Sequence, residues 1–181
     1  MKTNVSPATG ENNLVAYVAC AGWSAGKARA AEFESCAALV EAGFKRGECK
    51  SGCCGVGDCI KVCKQGAMKL ENGKVVIDAD KCDGCGDCAV EGVCPQHLIH
   101  MIPKDATNFI PCSSTEEDDE LVRKTCGFGC IACGECERAC PEGAVHIVDN
   151  HAVIDYDKCV GCVACMVKCK KKIIVDTLHD L

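Results

Sequence analysis

The chain has 181 residues, 21 of them cysteine, and a formal net charge of -6. This cysteine density excludes a role only as small apolar core residues, because free cysteine used in that way is far sparser. The negative charge argues against a nucleic-acid partner. Aromatic residues are only 4% of the chain, so the hydrophobic core is small and metal ligation is expected to supply much of the folding free energy.

The start of the chain does not have the pattern of a secretory signal. Residues 1–10 have no basic start followed by an apolar run, and the apolar stretch 14–20 is too short for a signal core. No stretch approaches the roughly 20 apolar residues of a membrane span. We therefore expect residues 1–13 to be a flexible N-terminus of a cytoplasmic protein with reduced thiols. Direct membrane insertion is not expected, and any membrane association would go through partner subunits.

The sequence matches itself at a long period. The opening LVAYVAC, which ends at Cys20, matches NFIPC, which ends at Cys112. GECKSGC matches RKTCGFGC, and KLENGKVVIDADKCDGCGDC aligns with HIVDNHAVIDYDKCVGCVAC. A duplicated module explains these matches most simply. We predict a first module over residues 14–103 and a second over 104–181.

The first module begins with a predicted short strand in LVAYVAC. A helix is expected over residues 24–42, because Ser24 can act as its N-cap and apolar residues recur at helical spacing. A hairpin follows over 69–78, since Asn72-Gly73 favours a two-residue turn between strands.

The second module is expected to repeat this order, with a short strand in NFIPC. Its helix is predicted over 116–124, with Thr115 as the N-cap and the acidic run EEDDE in the first turn, where the helix dipole favours negative charge. A second hairpin is predicted over 145–155, turning at Asp149-Asn150.

The cysteine spacing of the second module is that of bacterial ferredoxins, found twice. Three thiolates, each separated from the next by two intervening residues, bind three corners of one 4Fe-4S cube. The fourth cysteine, which can precede a proline, binds the neighbouring cube. One cluster is therefore assigned to Cys130, Cys133, Cys136 and Cys169. Its neighbour is assigned to Cys140, Cys159, Cys162 and Cys165. The fold class predicted for the whole chain is α+β, with two tandem bacterial-type 2[4Fe-4S] ferredoxin-like modules, each preceded by a short strand and helix.

The first module is less regular. One cluster follows the same rule and takes Cys63, Cys82, Cys85 and Cys88. In the other half, Val56 stands where the second module has a cysteine, so one ligand must come from elsewhere. We assign this cluster to Cys49, Cys53, Cys59 and Cys94, with Cys54 and Cys20 as alternates for the Cys49 position. The chain is thus predicted to hold four 4Fe-4S clusters.

Five cysteines remain outside these four sets, namely Cys20, Cys36, Cys54, Cys112 and Cys126. We expect them to pack as buried thiols, with Cys36 in the core of a helix. The alternative for Cys20 and Cys112 is that they bind a fifth cluster. Zinc sites and a disulfide framework are disfavoured, because triplets of cysteine ending in Cys-Pro are typical of cubanes. No phosphate loop, catalytic triad or paired-carboxylate site stands out, which argues against independent catalysis.

The chain resembles the ferredoxin-like part of the B subunit of the Rnf complex, a membrane ferredoxin:NAD oxidoreductase. The resemblance depends on VAYVACAG, GECKSGCCGVGDCIKVC, DADKCDGCGDC, RKTCGFGCIACGECERACPEGAV and IDYDKCVGCVAC. It implies a chain of 4Fe-4S clusters that accepts electrons from reduced ferredoxin, and it supports Cys49 as a ligand. The stretch ahead of Val15 does not match the membrane anchor of that family, so we expect the domain without its anchor.

Three functions follow from these observations. The first is an electron-wire subunit or carrier whose partners are ferredoxin, a flavoprotein or a metal-containing oxidoreductase subunit. The second is a subunit of a membrane ion-translocating complex, and the third is an iron-sulfur redox sensor. Partner recognition is expected to be electrostatic, through the acidic run 116–120, which could equally be a solvated face.

Overall fold

A computed structural model describes residues 13–21, 32–43 and 49–176 of the chain. The strands are β1 Leu14–Val18, β2 Met68–Glu71, β3 Lys74–Ile77, β4 Ile99–Pro103, β5 Val145–Val148 and β6 His151–Ile154. The helices are α1 Cys36–Glu41, α2 Asp58–Val62, α3 Asp119–Thr125, α4 Glu135–Ala139 and α5 Ala164–Lys168, with a 3-10 turn at Asp87–Ala89. The coarse prediction of a small protein that mixes helices with short sheets is confirmed.

The strands form three two-stranded antiparallel sheets, β1-β4, β2-β3 and β5-β6. In the first sheet, Leu14 lies opposite Pro103 and Val18 opposite Ile99, which brings the two ends of the segment 14–103 together. The other two sheets are hairpins between cysteine-rich segments. Each hairpin therefore sets the separation between the two ligand loops that flank it.

Both predicted hairpins are confirmed, with their turns where the sequence indicates. Asn72 and Gly73 have φ angles of 49° and 75°, and Asp149 and Asn150 have φ angles of 46° and 62°. Two successive residues with positive φ form the type I′ turn whose twist matches that of the paired strands. Asn, Asp and Gly are the residues that adopt this conformation at the lowest cost.

The predicted first helix differs from the observed one. Its proposed cap Ser24 and residues 24–31 lie outside the described residues, and within the described part the helix begins only at Cys36. Ser35 has extended backbone geometry, and its Oγ accepts a hydrogen bond from the amide of Ala38 at 3.1 Å. The N-cap at Ser35 marks the start of α1, and residues 33–35 are not helical.

The second predicted helix begins three residues later than expected, and Thr115 is not its cap. Asp118 is the N-cap, because its Oδ1 accepts hydrogen bonds from the amides of Glu120 at 2.9 Å and Leu121 at 3.1 Å. Asp119 and Glu120 then occupy the first turn, as the acidic run predicts. The prediction of acids at the helix start is thus confirmed, but with a different capping residue.

The strand predicted in NFIPC does not form. Two isolated antiparallel bridges replace it, one between Phe109 and Val175 and the other between Cys20 and Cys112. The first bridge brings the two ends of the segment 109–175 together. The second joins the corresponding positions of the two repeats directly.

Aliphatic residues and cysteines share the core. One buried cluster contains Val18, Leu98 and Ile99 together with Cys53, Cys59 and Cys88, and another contains Ile110, Val145 and Ile173 together with Cys130, Cys136 and Cys165. A third, smaller cluster joins Val15, Ile102 and Phe109. The two large hydrophobic clusters include sulfur atoms of predicted ligands, so metal ligation and core packing depend on each other. Among the described residues, none of the helices has the length and apolar character needed to cross a membrane.

Candidate iron-sulfur centres

The cluster assigned to the regular half of the first repeat has its four cysteines around one cavity, which is lined by Cys63, Cys82, Cys85 and Cys88. Cys63 directly follows α2, and Cys88 lies in the 3-10 turn. Burial, together with the sulfurs of Cys82, Cys85 and Cys63, raises the pKa of Cys88 to about 11. The structure thus brings together the complete set that the spacing predicts.

A second cavity does the same in the second repeat, where it is lined by Cys130, Cys133, Cys136 and Cys169. Cys136 lies on α4, and Cys169 follows α5, so the fourth cysteine arrives from the other motif as predicted. Burial and the neighbouring sulfurs of Cys130, Cys169 and Cys133 raise the pKa of Cys136 to about 11. An arriving iron ion must therefore displace protons from closely spaced thiols.

In the neighbouring set of the second repeat, a buried asparagine contacts two of the four predicted ligands. Asn108 is 1% exposed, and its Nδ2 donates a hydrogen bond to the Sγ of Cys165 at 3.3 Å. The thiol of Cys159 donates to Asn108 Oδ1 at 3.8 Å. The pKa of Cys165 is raised by burial and by the nearby sulfurs of Cys159 and Cys140. Of the four predicted ligands, Cys162 is the exposed one.

At the irregular site, the structure brings together three of the four predicted ligands and Cys54, one of the two alternates for the Cys49 position. Its cavity is lined by Cys36, Cys53, Cys54, Cys59 and Cys94. Burial and the nearby sulfurs of Cys53, Cys94 and Cys36 raise the pKa of Cys59 to about 12. Cys53, Cys59 and Cys94 are therefore brought together as predicted. Cys49 does not line this cavity and lies instead on another one.

Cys36 and Cys54 are in direct contact within this site. The Cys54 thiol donates a hydrogen bond to the Cys36 sulfur, which lowers the pKa of Cys36 to about 6 and raises that of Cys54. The Cys36 amide donates to Asp58 Oδ2 at 2.6 Å, which fixes the start of α1 against α2. The sequence predicted Cys36 only as a core residue and did not predict its place at this site. Local spacing gives no signal for it, because Cys36 is far along the chain from Cys53.

Cys49 lines a separate cavity of about 280 Å³, together with Cys20, Cys112 and Cys126. These three companions are among the cysteines that the sequence predicts to be buried thiols, with a fifth cluster as the alternative for Cys20 and Cys112. The cavity lies between the two repeats, since Cys20 and Cys49 belong to the first and Cys112 and Cys126 to the second. The structure thus separates Cys49 from its predicted set and joins it to three leftover cysteines.

The donor atoms around these cavities suit iron-sulfur clusters. Thiolate is a soft ligand that selects Fe-S clusters, zinc or copper(I). Backbone amides also point at the sulfurs, as when Leu98 donates to Cys94 Sγ at 3.4 Å and Ala144 donates to Cys140 Sγ at 3.2 Å. Such hydrogen bonds are a feature of Fe-S sites and set their potentials.

A single metal ion fits these sites less well. Within the described ranges, no three His, Cys, Asp or Glu side chains converge closely enough to hold one ion. A cubane instead takes one thiolate at each of its four irons, so its ligands surround a cavity rather than one point. The residues present therefore fit 4Fe-4S clusters.

Comparison with known proteins gives matches of the same kind. Residues 129–174 match the family model described as a 4Fe-4S dicluster domain. The chain is 32% identical over 142 residues to the B subunit of the ion-translocating oxidoreductase complex of Methanosarcina acetivorans, a match that covers 78% of this chain and 53% of the relative. It is 34% identical over 133 residues to the B subunit of the Na(+)-translocating ferredoxin:NAD(+) oxidoreductase complex of Acetobacterium woodii, covering 73% of this chain and 39% of the relative.

A third relative is the B subunit of the proton-translocating ferredoxin:NAD(+) oxidoreductase complex of Clostridium ljungdahlii, with 36% identity over 163 residues, covering 86% of this chain and 56% of the relative. The chain thus spans only about 39–56% of the length of these three curated relatives. These matches confirm the predicted resemblance and the predicted class of function, an iron-sulfur protein of electron transfer. Over most of its length the chain is similar to the B subunits of ion-translocating oxidoreductase complexes, two of which are named as ferredoxin:NAD(+) oxidoreductases.

Proposed function

We propose that the chain is an electron wire in which two tandem ferredoxin-like modules, residues 14–103 and 104–181, hold at least four 4Fe-4S clusters. The observation that carries this proposal is the pair of cavities whose complete linings of cysteine coincide with ligand sets derived from spacing. One is lined by Cys63, Cys82, Cys85 and Cys88, and the other by Cys130, Cys133, Cys136 and Cys169.

Two further observations support the division into modules. The β1-β4 pairing joins Leu14 to Pro103, the ends of the first proposed module. The bridge between Phe109 and Val175 similarly joins positions near the ends of the second. A compact unit with its own closed ends and its own buried cluster is the usual form of a domain.

For the irregular site, we infer that Cys36 takes the place predicted for Cys49. The ligands would then be Cys36, Cys53, Cys59 and Cys94. Cys54 lines the same cavity, but it is adjacent to Cys53, and neighbouring residues have an awkward bite on one cube. Cys54 would instead donate its hydrogen bond to the ligand Cys36, as it does to the Cys36 sulfur here.

The clusters supply one-electron chemistry, and the protein supplies position, exclusion of water and electrostatic tuning. The aliphatic core residues around Cys53 and Cys130 keep water from the sulfurs. Amides and the Asn108 side chain donate hydrogen bonds to them. Three relatives are named as subunits of oxidoreductase complexes, and we propose that this chain is likewise an electron-transfer subunit rather than an independent catalyst.

The partners proposed are proteins. Three relatives are named as subunits of ion-translocating complexes, two of them as ferredoxin:NAD(+) oxidoreductases. We propose that this chain takes electrons from a reduced ferredoxin and delivers them to a flavoprotein or metal-containing oxidoreductase subunit. The second candidate is a subunit of an ion-translocating complex, which the names of these three relatives favour. Any membrane association would then go through integral partner subunits.

The acidic run 116–120 contributes less to partner binding than its charge indicates. Asp118 caps α3, Asp119 pairs with Arg123 at 3.4 Å, and Glu120 pairs with Lys124 at 3.5 Å. Since these exposed acids already have internal partners, we expect charge reversal there to change association with ferredoxin only modestly.

Chemical analysis under anaerobic conditions tests the proposal. Iron and acid-labile sulfide should each be at least about sixteen per chain, because each cubane holds four of both. Dithionite reduction should give EPR signals of spin-coupled cubanes. Zinc in place of iron, or iron without labile sulfide, would contradict the electron-wire function.

Single substitutions test the ligand set of the irregular site. Cys36→Ala should lower the iron content by up to about four per chain, whereas Cys54→Ala should leave it unchanged. The reverse result would assign the ligand to Cys54. Retained EPR signals from the other clusters serve as the internal control for folding in both variants.

A further inference from the structure

We propose a fifth 4Fe-4S site, formed by Cys20, Cys49, Cys112 and Cys126 between the two repeats. The inference rests on the proposed electron-wire function and extends it, since none of the four clusters derived from spacing uses this set. Its starting observation is the cavity of about 280 Å³ that these four cysteines line.

The first pair of ligands is held by the bridge between the repeats. Cys20 and Cys112 face each other in an isolated antiparallel bridge, and Ala21 donates to the carbonyl of Pro111 at 3.0 Å. Each of the two cysteines lies in its own tight turn, and the two turns have the same hydrogen-bond pattern. The Cys20 amide donates to the Val18 carbonyl at 2.7 Å, and the Cys112 amide donates to the Ile110 carbonyl at 2.8 Å. Equivalent backbone geometry thus presents two sulfurs to one cavity.

These two sulfurs also accept hydrogen bonds from equivalent amides. The Cys53 amide donates to Cys20 Sγ at 3.4 Å, and the Cys130 amide donates to Cys112 Sγ at 3.2 Å. Cys53 and Cys130 correspond in the repeat alignment, as Cys20 and Cys112 do. Amide-to-sulfur hydrogen bonds of this kind stabilise the thiolate form and are typical of Fe-S ligands.

The second pair of ligands follows the same symmetry. Cys49 precedes Cys53 by four residues, and Cys126 precedes Cys130 by four residues. Cys126 directly follows α3. Each repeat therefore contributes one cysteine from its opening segment and one from the start of its ligand loop. A cubane, which has four equivalent iron corners, suits such a pairing of duplicated elements.

A buried hydroxyl supports a ligand in this cavity. Ser113, which lines the cavity beside Cys112, has a buried Oγ without a hydrogen-bond partner among the described residues. A buried unsatisfied polar group needs an explanation, and an absent ligand is one of the usual ones. A cluster sulfur in the cavity would accept the hydrogen bond that this hydroxyl can donate.

The cysteine inventory agrees with five sites. Four cubanes that use Cys36 in place of Cys49, together with the fifth site, employ every cysteine of the chain except Cys54.

The location also gives the fifth cluster a function. It is linked to Cys53 of the irregular site and to Cys130 of the second repeat through the amide hydrogen bonds. An electron received from the cubane on one side would pass to the cubane on the other, so the relay itself has no net redox change.

The iron and acid-labile sulfide content of the full-length chain tests this inference. After anaerobic reconstitution and gel filtration, we expect about twenty of each per chain, against about sixteen for four cubanes. A double variant, Cys20→Ala with Cys112→Ala, should lose about four of each and keep the remaining EPR signals. The double variant Leu70→Ala with Val148→Ala, at two exposed hairpin residues outside the proposed sites, is the control and should retain the wild-type content.

The outcomes separate the two proposals. A wild-type content near that of four cubanes, unchanged in the double variant, would overturn the fifth site and leave the electron wire intact. A disulfide between Cys20 and Cys112, detected by mass spectrometry of the anaerobically alkylated protein, would also overturn it. Little iron in the wild type would reject the electron-wire function itself. Should the double variant fail to fold, the wild-type stoichiometry still decides between four and five clusters.

Discussion

The side chain of Asn108 lies between Cys159 and Cys165, two predicted ligands of one cluster, and its Nδ2 donates to Cys165 Sγ at 3.3 Å. Tyr156 fixes the backbone at this point, because its hydroxyl donates to the Asn108 carbonyl at 3.1 Å. Asn108 is thus a buried polar residue held in place to contact sulfur, and its amide is expected to tune the potential of this cluster.

Replacing Asn108 tests this expectation. A hydrogen bond donated to a ligand sulfur stabilises the more negative, reduced cluster, so its loss should make the potential more negative. We expect Asn108→Leu to lower the midpoint potential of one cluster in an EPR-monitored redox titration. Asn108→Asp should lower it further, since it adds negative charge. The signals of the other clusters are the internal control, and an unchanged midpoint in both variants would contradict the assigned contact.

Two glycines with the same backbone conformation should respond differently to substitution. Gly84 and Gly86 have φ angles of 74° and 78°, which cost a residue with a Cβ about 1–2 kcal/mol. A Cβ on Gly84 would also come within 2.5 Å of the Leu14 carbonyl oxygen, whereas a Cβ on Gly86 has nothing within 4 Å. Gly84→Ala should therefore reduce the thermal midpoint and iron content well beyond Gly86→Ala. Equal effects of the two substitutions would show that the contact with β1 is unimportant.

The cap of α3 gives a third prediction. Asp118→Ala removes two hydrogen bonds to helix amides and should lower the free energy of unfolding by about 1 kcal/mol. Thr115→Ala is the control, since Thr115 lies outside the helix. Anaerobic chemical unfolding of both variants, followed by cluster absorbance, measures the difference. A larger loss from Thr115→Ala would restore the capping residue predicted from the sequence.

His100 should make the chain sensitive to mild acid. Burial, and to a lesser extent the charges of His151 and His97, lowers the pKa of His100 below its usual value of about 6.5. The unfolded chain then binds the proton more readily, so this contribution to stability is present above the unfolded-state pKa of about 6.5 and is lost as the pH falls from there through the lower pKa of the folded state. The His100 ring also packs against the Tyr17 ring in a tilted arrangement, with centroids 5.5 Å apart.

We expect His100→Phe to retain this ring contact and to remove part of the acid sensitivity. Anaerobic thermal midpoints at about pH 7.5 and about pH 5.5, on either side of the ordinary histidine pKa, give the test. The wild type is measured in parallel because acid also attacks the clusters. If the variant loses as much stability as the wild type on acidification, His100 is not the responsible group.

Local spacing predicted much of the candidate chemistry. Cys63 joins the triplet at 82–88 around one cavity, and Cys169 joins the triplet at 130–136 around another, since three ligands of each set lie within one loop. The hairpin turns at Asn72 and Asp149 were equally local, because residues that tolerate positive φ mark them directly.

What the sequence did not reveal depends on contacts between distant segments. Cys36 reaches its cavity because its amide is anchored by Asp58, and no spacing rule connects these two positions. Cys49 was assigned to the nearest incomplete set. In the structure it instead lines the cavity that also contains Cys20 and Cys112, which are joined by a bridge. The cap at Asp118 was missed because several neighbouring residues can all act as N-caps, and only tertiary structure selects one of them.

The exposure of two cysteines has a consequence for handling and for damage. Cys85 and Cys162 are both exposed, and they occupy the same position in the two repeats. Oxidation of cysteine follows exposure and thiolate character. Oxygen should therefore attack these two predicted ligands first, while the buried sulfurs are still intact. Cluster loss should begin at the two clusters to which Cys85 and Cys162 are assigned.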